Sequence, residues 1–287
     1  MEIFKTVSDM RSWSDAMHRA GETISFVPTM GYLHDGHLSL MEKGATVCSA
    51  LVVSIFVNPT QFGENEDLGA YPTNIERDLK LIESKGAKAV FLPDRQEIYP
   101  ENYETYVALA HLPNHMCGLS RPVHFRGVAT IITKLFNIVR PDTAIFGAKD
   151  FQQLQVIRQL NRDLNFGINI IGAPIVRESD GLAMSSRNAY LKQEERPSAL
   201  SLSQSCLKAQ DMVTSGEKDS NVIRERIVNF IQSLPYTKAD YISICDPDTL
   251  NEVENIESEV LFALAVQVGR ARLIDNILIK PPLQKIL

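Results

Sequence analysis

The chain has 287 residues, 44% of them hydrophobic and 22% charged, which is the balance of a globular protein long enough for two modest domains and excludes disordered or fibrous classes. A net charge of −6, with no long run of Lys or Arg, excludes a surface built for duplex nucleic acid, because such a surface needs a basic face against the phosphates. The longest apolar stretches, 50–57 and 260–266, are too short to cross a bilayer, so no membrane partner is expected, and the opening MEIFKTVSDMRSW lacks the basic-then-apolar pattern of a signal peptide.

In chain order, Met10, Trp13, Met17 and Ala20 share one face and predict a first helix. An apolar run at 24–27 predicts a buried strand, followed by a helix opening near Gly36, and 51–57 predicts the next strand. Ile75, Leu79 and Ile82 line a further helix, with Thr73 and Glu76 at capping-box spacing and Gly86 at its expected end. A strand is expected at 88–92. The clearest helical stripe follows, made of Val128, Ile131, Ile132, Leu135, Phe136 and Val139, and then strands at 144–146 and 168–171. Strands alternating with helices imply parallel pairing, because parallel strands need crossovers. The expectation is an α/β fold, a Rossmann-like doubly wound parallel sheet.

After Arg187 the character changes. Residues 194–213 and 221–234 carry helical periodicity and are separated by the polar turn TSGEKDS. Runs at 239–244, 260–266 and 271–277 predict strands of a smaller α+β domain. The boundary is placed between domains 1–175 and 176–287. Cys48, Cys117, Cys206 and Cys245 are far apart and form no CxxC pair, so disulfides and a zinc cage are poor readings and a reducing cytoplasm is the better one.

The chemistry concentrates at strand exits. In PTMGYLHDGHLSL, His34 and His37 are three residues apart at the first strand-to-helix junction, where strand carboxyl ends and helix amino ends meet and an anion is favoured. An isolated His-x-x-His is most often a helix cap. Here it coincides with a strand exit, Pro28, Gly31 and Gly36, and neither GxGxxG nor a Walker loop is present. In IFGAKDFQQLQ, Gly147 permits close approach, Lys149 supplies a charge suited to phosphate, Asp150 suits a helix cap, and Gln153 lies one turn into a helix. Ser185, Ser186 and Arg187 in AMSSRNAYL suit a polyphosphate, although the same triplet is usually an ordinary polar loop. In SIFVNPTQFG, Asn58 and Gln61 follow a buried strand, and Asn58 before Pro59 is also a turn former. Such a set, without a nucleophilic Cys or a Ser-His-Asp constellation, fits nucleotidyl transfer, in which the protein positions a charged reactant and neutralises phosphates.

In this order, PTMGYLHDGHLSL, FVNPTQF, Tyr71-Pro72, HFRGVAT, FGAKDFQQL, PIVRESDGLAMSSRN and ARLIDN resemble the pantoate–β-alanine ligase (pantothenate synthetase) family over almost the whole chain. This family belongs to the nucleotidylyltransferases with a His-x-Gly-His element. Two departures stand out: Val123 occupies the glycine position of the family's Arg-Pro-Gly-His, restricting the loop that presents Arg121, and Ala148 replaces a longer residue.

The resemblance implies ATP-dependent condensation of pantoate with β-alanine through pantoyl adenylate, with Mg2+ carried by ATP and no dedicated metal ligands. Asp78 and Asp150 are conceivable only as water-mediated contacts. It places Met30, Gly31, Tyr32, Leu33, His34, Asp35, Gly36 and His37 along ATP, with His37 as proton donor and His34 beside the phosphates. Gly147, Ala148, Lys149, Asp150 and Val176 hold the nucleoside; Met184, Ser185, Ser186 and Arg187 close over the phosphates together with Lys149. Gln61 and Gln153 bind pantoate, Gln61 also borders β-alanine, and Asn58, Tyr71 and Arg121 rank second. It further implies a cytoplasmic homodimer with an ATP- and pantoate-binding first domain and a lid as the second. The rivals are another nucleotidyltransferase acting on a different small acid and a catalytically impaired nucleotide-binding member of the family.

Overall fold

The computed structural model describes residues 1–64 and 66–282. The first part of the chain runs β1 (Glu2–Phe4), α1 (Val7–Arg19), β2 (Ile24–Thr29), α2 (Asp35–Val47), β3 (Ala50–Ile55), α3 (Ile75–Ser84), β4 (Ala89–Phe91) and α4 (Arg95–Ile98). It continues through α5 (Met116–Ser120), α6 (His124–Val139), β5 (Thr143–Gly147), α7 (Phe151–Asp163) and β6 (Asn169–Ala173). The last part holds α8 (Arg196–Ala199), α9 (Ser201–Thr214), α10 (Ser220–Gln232), β7 (Thr237–Cys245), β8 (Val260–Val268) and β9 (Ala271–Ile279).

Strands β1 to β6 form one parallel sheet in the order β1-β4-β3-β2-β5-β6. Its inner strands β2 to β5 are buried on both faces, as strands sandwiched between helices must be, while the edge strands β1 and β6 are partly exposed. Ile24, Phe26, Ala50, Val52, Phe91 and Phe146 pack with Met10 of α1 and the Val128–Val139 stripe of α6. The alternate residues Val27, Leu51, Val53, Val90 and Ile145 pack on the other face with Leu40 and Met41 of α2 and Ile82 of α3. Fully buried side chains such as Phe26 and Phe91 each contribute about 1.5–3 kcal/mol by leaving water. Strand β1 was not expected from the sequence: three residues at a sheet edge are too few to show a period. Helix α3 is capped by Asn74, whose Oδ1 accepts the Arg77 N–H at 3.2 Å, and not by Thr73 as its spacing to Glu76 suggested.

By contact density the chain forms two compact units. The first comprises Met1–Pro113, Arg121–Ala148 and Gln153–Val176; the second comprises Asn114–Ser120, Lys149–Gln152 and the chain from Arg177 onward. The second unit contains the antiparallel sheet β7-β8-β9. Its own core joins Phe262, Leu264 and Val266 to Leu202 and Cys206 of α9 and to Ile223, Ile227 and Ile231 of α10. Among the described residues no helix is long and apolar enough to cross a membrane.

Candidate functional site

In the first unit, β2 lies between β3 and β5, so the chain leaves β2 towards one edge of the sheet and leaves β5 towards the other. The crevice above such a reversal is where α/β sheets bind ligands. The turn after β2 opens with Gly31 at φ +83° and Tyr32 at φ +50°. A tyrosine in the left-handed region is strained and persists only where its surroundings hold it. Asp78 of α3, with no exposed surface, supplies that hold: its carboxylate accepts the N–H of Tyr32 at 2.7 Å and of Leu33 at 2.9 Å. Gly31 is required beside it, since a Cβ would stand 3.1 Å from Asp78 Oδ2 and 3.1 Å from Ile55 Cγ2. The amides of Tyr32 and Leu33 therefore serve a protein carboxylate, and the anion site expected at this junction is left to the start of α2.

His34 is the extended N-cap of α2. Its ring lies 4.1 Å, centroid to centroid, from that of His37 at 35°. The His34 N–H donates to His37 Nδ1 at 3.4 Å. In the neutral ring this leaves the His37 proton on Nε2. The helix start also offers N–H groups of Asp35 and Gly36 that have no acceptor within the helix, and the positive end of its dipole. A cavity of about 240 Å³ adjoins this turn, lined by Met30, Gly31, Phe56, Ile75, Asp78 and Arg95 among others.

The exit of β3 is a buried amide network. Asn58, 1% exposed, accepts from the Thr60 hydroxyl at 2.9 Å and from the Tyr99 hydroxyl at 2.9 Å. Its Nδ2 donates to Gln61 Oε1 at 3.1 Å and to the Gly127 carbonyl at 3.1 Å. Its hydrogen-bonding capacity is thus spent inside the fold, so Asn58 positions Gln61 and is not itself available to a substrate. Gln61 Nε2 donates to Met30 Sδ at 3.0 Å, tying the β3 exit to the β2 exit. Gly127 lets α6 lie against this turn: a Cβ there would stand 2.4 Å from the Thr60 carbonyl and 2.5 Å from the Gln61 backbone.

Arg121 grips Glu66 through Nε at 2.8 Å and through Nη2, and Nη2 also donates to the Gln61 carbonyl at 3.3 Å. His124 Nδ1 lies 3.0 Å from the same carbonyl. Burial pushes the Glu66 carboxyl up, but the hydrogen bond and charge of Arg121, with the charge of His124 behind them, outweigh it and hold the group below the usual glutamate range. Val123 has φ −91° and ψ −15° as the residue before α6, a conformation a β-branched side chain adopts without strain. The missing glycine therefore introduces no backbone strain at position 123. Tyr71 stands edge-on to Phe62, with ring centroids 6.1 Å apart.

Gly147 ends β5 beside open space, with no atom within 4 Å of where a Cβ would be. Ala148 closes this part of the first unit. Gln153 and Val176 also belong to the first unit and are half-buried.

Lys149 and Asp150 belong to the second unit, where Lys149 Nζ lies 3.8 Å from Asp150 Oδ2 and the Lys149 carbonyl accepts from Asn276 at 2.8 Å. In the same unit Met184, Ser185, Ser186 and Arg187 are half-buried, and Ser185 Oγ accepts the Arg187 N–H at 3.2 Å. This loop is anchored by a bridge between Arg177 and Ala183 and by Asn188, whose amide reaches Glu178 at 2.6 Å and the Ala183 carbonyl at 3.1 Å. Arg177 in turn forks onto the buried Asp275 at 2.6 and 2.9 Å, and that hydrogen bond, against the pull of burial, raises its already high pKa.

Sequence reasoning missed the roles of Asp78, Glu66, His124 and Gly127. For Asp78 a signal was present: it shares the apolar stripe of α3 with Ile75 and Ile82, where a carboxylate needs partners. For the other three the partners are more than fifty residues away, and no local pattern points to them.

A parallel sheet whose reversal point is met by paired imidazoles and a fixed amide network defines an α/β enzyme of Rossmann-like construction. The sequence model of the family described as Pantoate-beta-alanine ligase matches residues 2–278, and the chain belongs to that family. A pantothenate synthetase of Desulforapulum autotrophicum is 60% identical over 281 residues, covering 98% of this chain and 99% of the relative. One of Desulfatibacillum aliphaticivorans is 58% identical over 281 residues, with 98% and 100% covered. The crystal structure of pantothenate synthetase from Thermus thermophilus matches with a TM-score of 0.92 at 39% identity, covering 98% of this chain and 100% of that one. The pantoate-beta-alanine ligase of Francisella tularensis, complexed with beta-gamma ATP and beta-alanine, matches with a TM-score of 0.82 at 32% identity, with 97% of each chain covered. The chain is accordingly a ligase that forms pantothenate from pantoate and β-alanine, and the rival readings are not favoured.

Proposed function

We propose that the ligation runs in two steps on the groups described above. The pantoate carboxylate, already ionised at neutral pH, attacks the α-phosphorus of ATP, and the bond to the β-phosphate breaks, releasing pyrophosphate. The amine of β-alanine then attacks the acyl carbon of pantoyl adenylate, the acyl–oxygen bond breaks, AMP leaves, and the amine proton passes to solvent. Neither step needs a nucleophilic side chain. Both need charge stabilisation where negative charge develops.

His37 carries the proposal: its Nδ1 accepts the His34 N–H, which in the neutral ring places the proton on Nε2, at the dipole-positive start of α2. His34, Lys149 and Arg187, with Met184, Ser185 and Ser186, are assigned to the triphosphate. Gly147, Ala148, Asp150 and Val176 are assigned to the nucleoside, where the open space beside Gly147 supports a flat ring. Gln61 and Gln153 are assigned to pantoate, and Gln61, Tyr71 and Arg121 to the side where β-alanine enters. Asn58 acts through Gln61.

Among the described residues no three or more His, Cys, Asp or Glu side chains gather as a metal cage, and Asp78 is committed to the Tyr32–Leu33 turn. Mg2+ is assigned to the phosphates of ATP, where it would arrive with most of its water and would neutralise their charge. A cytoplasmic location is supported by four free cysteines, which suit a reducing compartment. A homodimer rests on the family resemblance.

His37→Ala is expected to fold normally and to slow pantoate-dependent ATP–pyrophosphate exchange by roughly two decades or more, as loss of a transition-state donor does. Exchange at the wild-type rate would remove His37 from the chemistry. AMP release from ATP, pantoate and β-alanine, with each omitted in turn, tests the overall reaction.

A further inference from the structure

Two carboxylates enter the ligation, and they have opposite needs. The pantoate carboxylate is the nucleophile of the first step, and a bidentate guanidinium on both of its oxygens would hold back the electron pair that must attack phosphorus. β-Alanine reacts through its amine, so its carboxylate is free to be a handle. A forked arginine suits that handle, giving two parallel charge-assisted hydrogen bonds and a fixed orientation.

Arg121 has this form, and its fork is already filled. Its side chain is only 12% exposed, its Nε and Nη2 hold both oxygens of Glu66, and Nη2 also reaches the carbonyl of Gln61. Glu66 is thus held where an incoming carboxylate would be held, beside a residue assigned to substrate. It sits on the connection that starts at Gln61 and ends at Tyr71, just before the 3-10 turn Asp67–Ala70.

We propose that Glu66 is an internal stand-in for the carboxylate of the amine substrate, and that β-alanine enters by displacing Glu66 from Arg121. This rests on the assignment of Arg121 to the β-alanine side of the site. With no substrate present, the pair keeps a mostly buried guanidinium compensated. When β-alanine binds, one carboxylate replaces the other, so charge is conserved at Arg121 and Glu66 is released towards water. A plain amine has nothing to offer the fork and leaves Glu66 in place. The fork thereby reads the carboxylate of an amino acid, and Glu66 competes with that carboxylate while leaving a plain amine of the same length unaffected.

The test compares wild type with Glu66→Gln, which keeps the shape and removes the competing charge. In the complete reaction, KM for β-alanine is expected to fall about threefold, the scale of a partly exposed ion pair, with KM for pantoate unchanged. With propylamine as acyl acceptor, kcat/KM is expected to be the same in both proteins. A KM for β-alanine that stays the same or rises overturns the proposal, and so does an equal change for β-alanine and propylamine, which would mean that Glu66 acts only by shaping the loop. Arg121→Lys separates the two assignments, because it keeps the charge and loses the fork. If Arg121→Lys leaves KM for β-alanine at the wild-type value, the assignment of Arg121 fails and the stand-in falls with it. If Arg121→Lys raises that KM while Glu66→Gln leaves it unchanged, only the stand-in fails.

Discussion

Asp78 lies on the buried stripe of α3, where a lone carboxylate would be costly to bury. The N–H groups of Tyr32 and Leu33 compensate it, with Arg77 at 3.7 Å, and in return it fixes a left-handed tyrosine two residues before His34. Asp78→Asn keeps the volume but loses the charge and sets an NH2 against a backbone N–H. Charge-assisted bonds of this kind contribute about 1.5–3 kcal/mol, so unfolding in urea is expected to show a loss of that order. Because the turn aims the His34–His37 pair, pantoate-dependent exchange is expected to fall about tenfold in kcat with a smaller change in KM for pantoate, as positioning losses do. A variant that loses stability and keeps wild-type kcat would show that the imidazoles are aimed by α2 alone. The histidines were legible in the sequence because two of them coincide with a strand exit and glycines. The support of the turn before them was not, since it comes from a carboxylate more than forty residues away.

Helix α6 illustrates what the sequence discloses about an element and what it withholds. Its stripe from Val128 to Val139 was visible as a period, and so were β2, β3 and β5 as apolar runs, because burial on both faces leaves little room for polar residues. The short elements β1 and α4 gave no such signal. What the stripe did not disclose is that the helix is seated by Gly127, against the turn that carries Gln61. Adding a methyl group there forces α6 and the Pro59–Gln61 turn apart, since the obstructing atoms are backbone and cannot rotate away. Gly127→Ala is expected to cost about 1–3 kcal/mol, the range for overpacking a close interface. The kinetic signature should be specific: KM for pantoate rises through displaced Gln61, while KM for ATP changes less. Equal changes for both substrates would mean that the damage spreads through the sheet and that the α6 contact does not position Gln61 in particular.

At the scale of the whole molecule, each unit is built round its own apolar core, and the sequence marked the change of character after Arg187 without showing that 114–120 and 149–152 cluster with the later unit. Gln152 donates to the His115 carbonyl at 2.8 Å and so joins the two segments to each other, while Ser120 with Asp240 at 2.8 Å and Asn276 with the Lys149 carbonyl at 2.8 Å join them to the later chain, and none of these contacts has a local period to betray it. Within that unit the Ser185–Arg187 loop hangs on the strand-like bridge at Arg177, and Arg177 is held by Asp275, which is 2% exposed on β9. Asp275→Asn leaves the guanidinium with an amide in place of a charge. Removing one partner of a fully buried pair costs about 3–5 kcal/mol, but Arg177 keeps access to water, so roughly 1–3 kcal/mol is expected. Calorimetry should show the loss as a lowered Tm. If the loop supplies Arg187 to the triphosphate, pantoate-dependent exchange should weaken by a rise in KM for ATP, and Asp275→Glu, which restores the charge at a longer reach, should recover part of it. A lowered Tm with KM for ATP unchanged would confine the Arg177–Asp275 pair to stability and take the Ser185–Arg187 loop out of nucleotide binding.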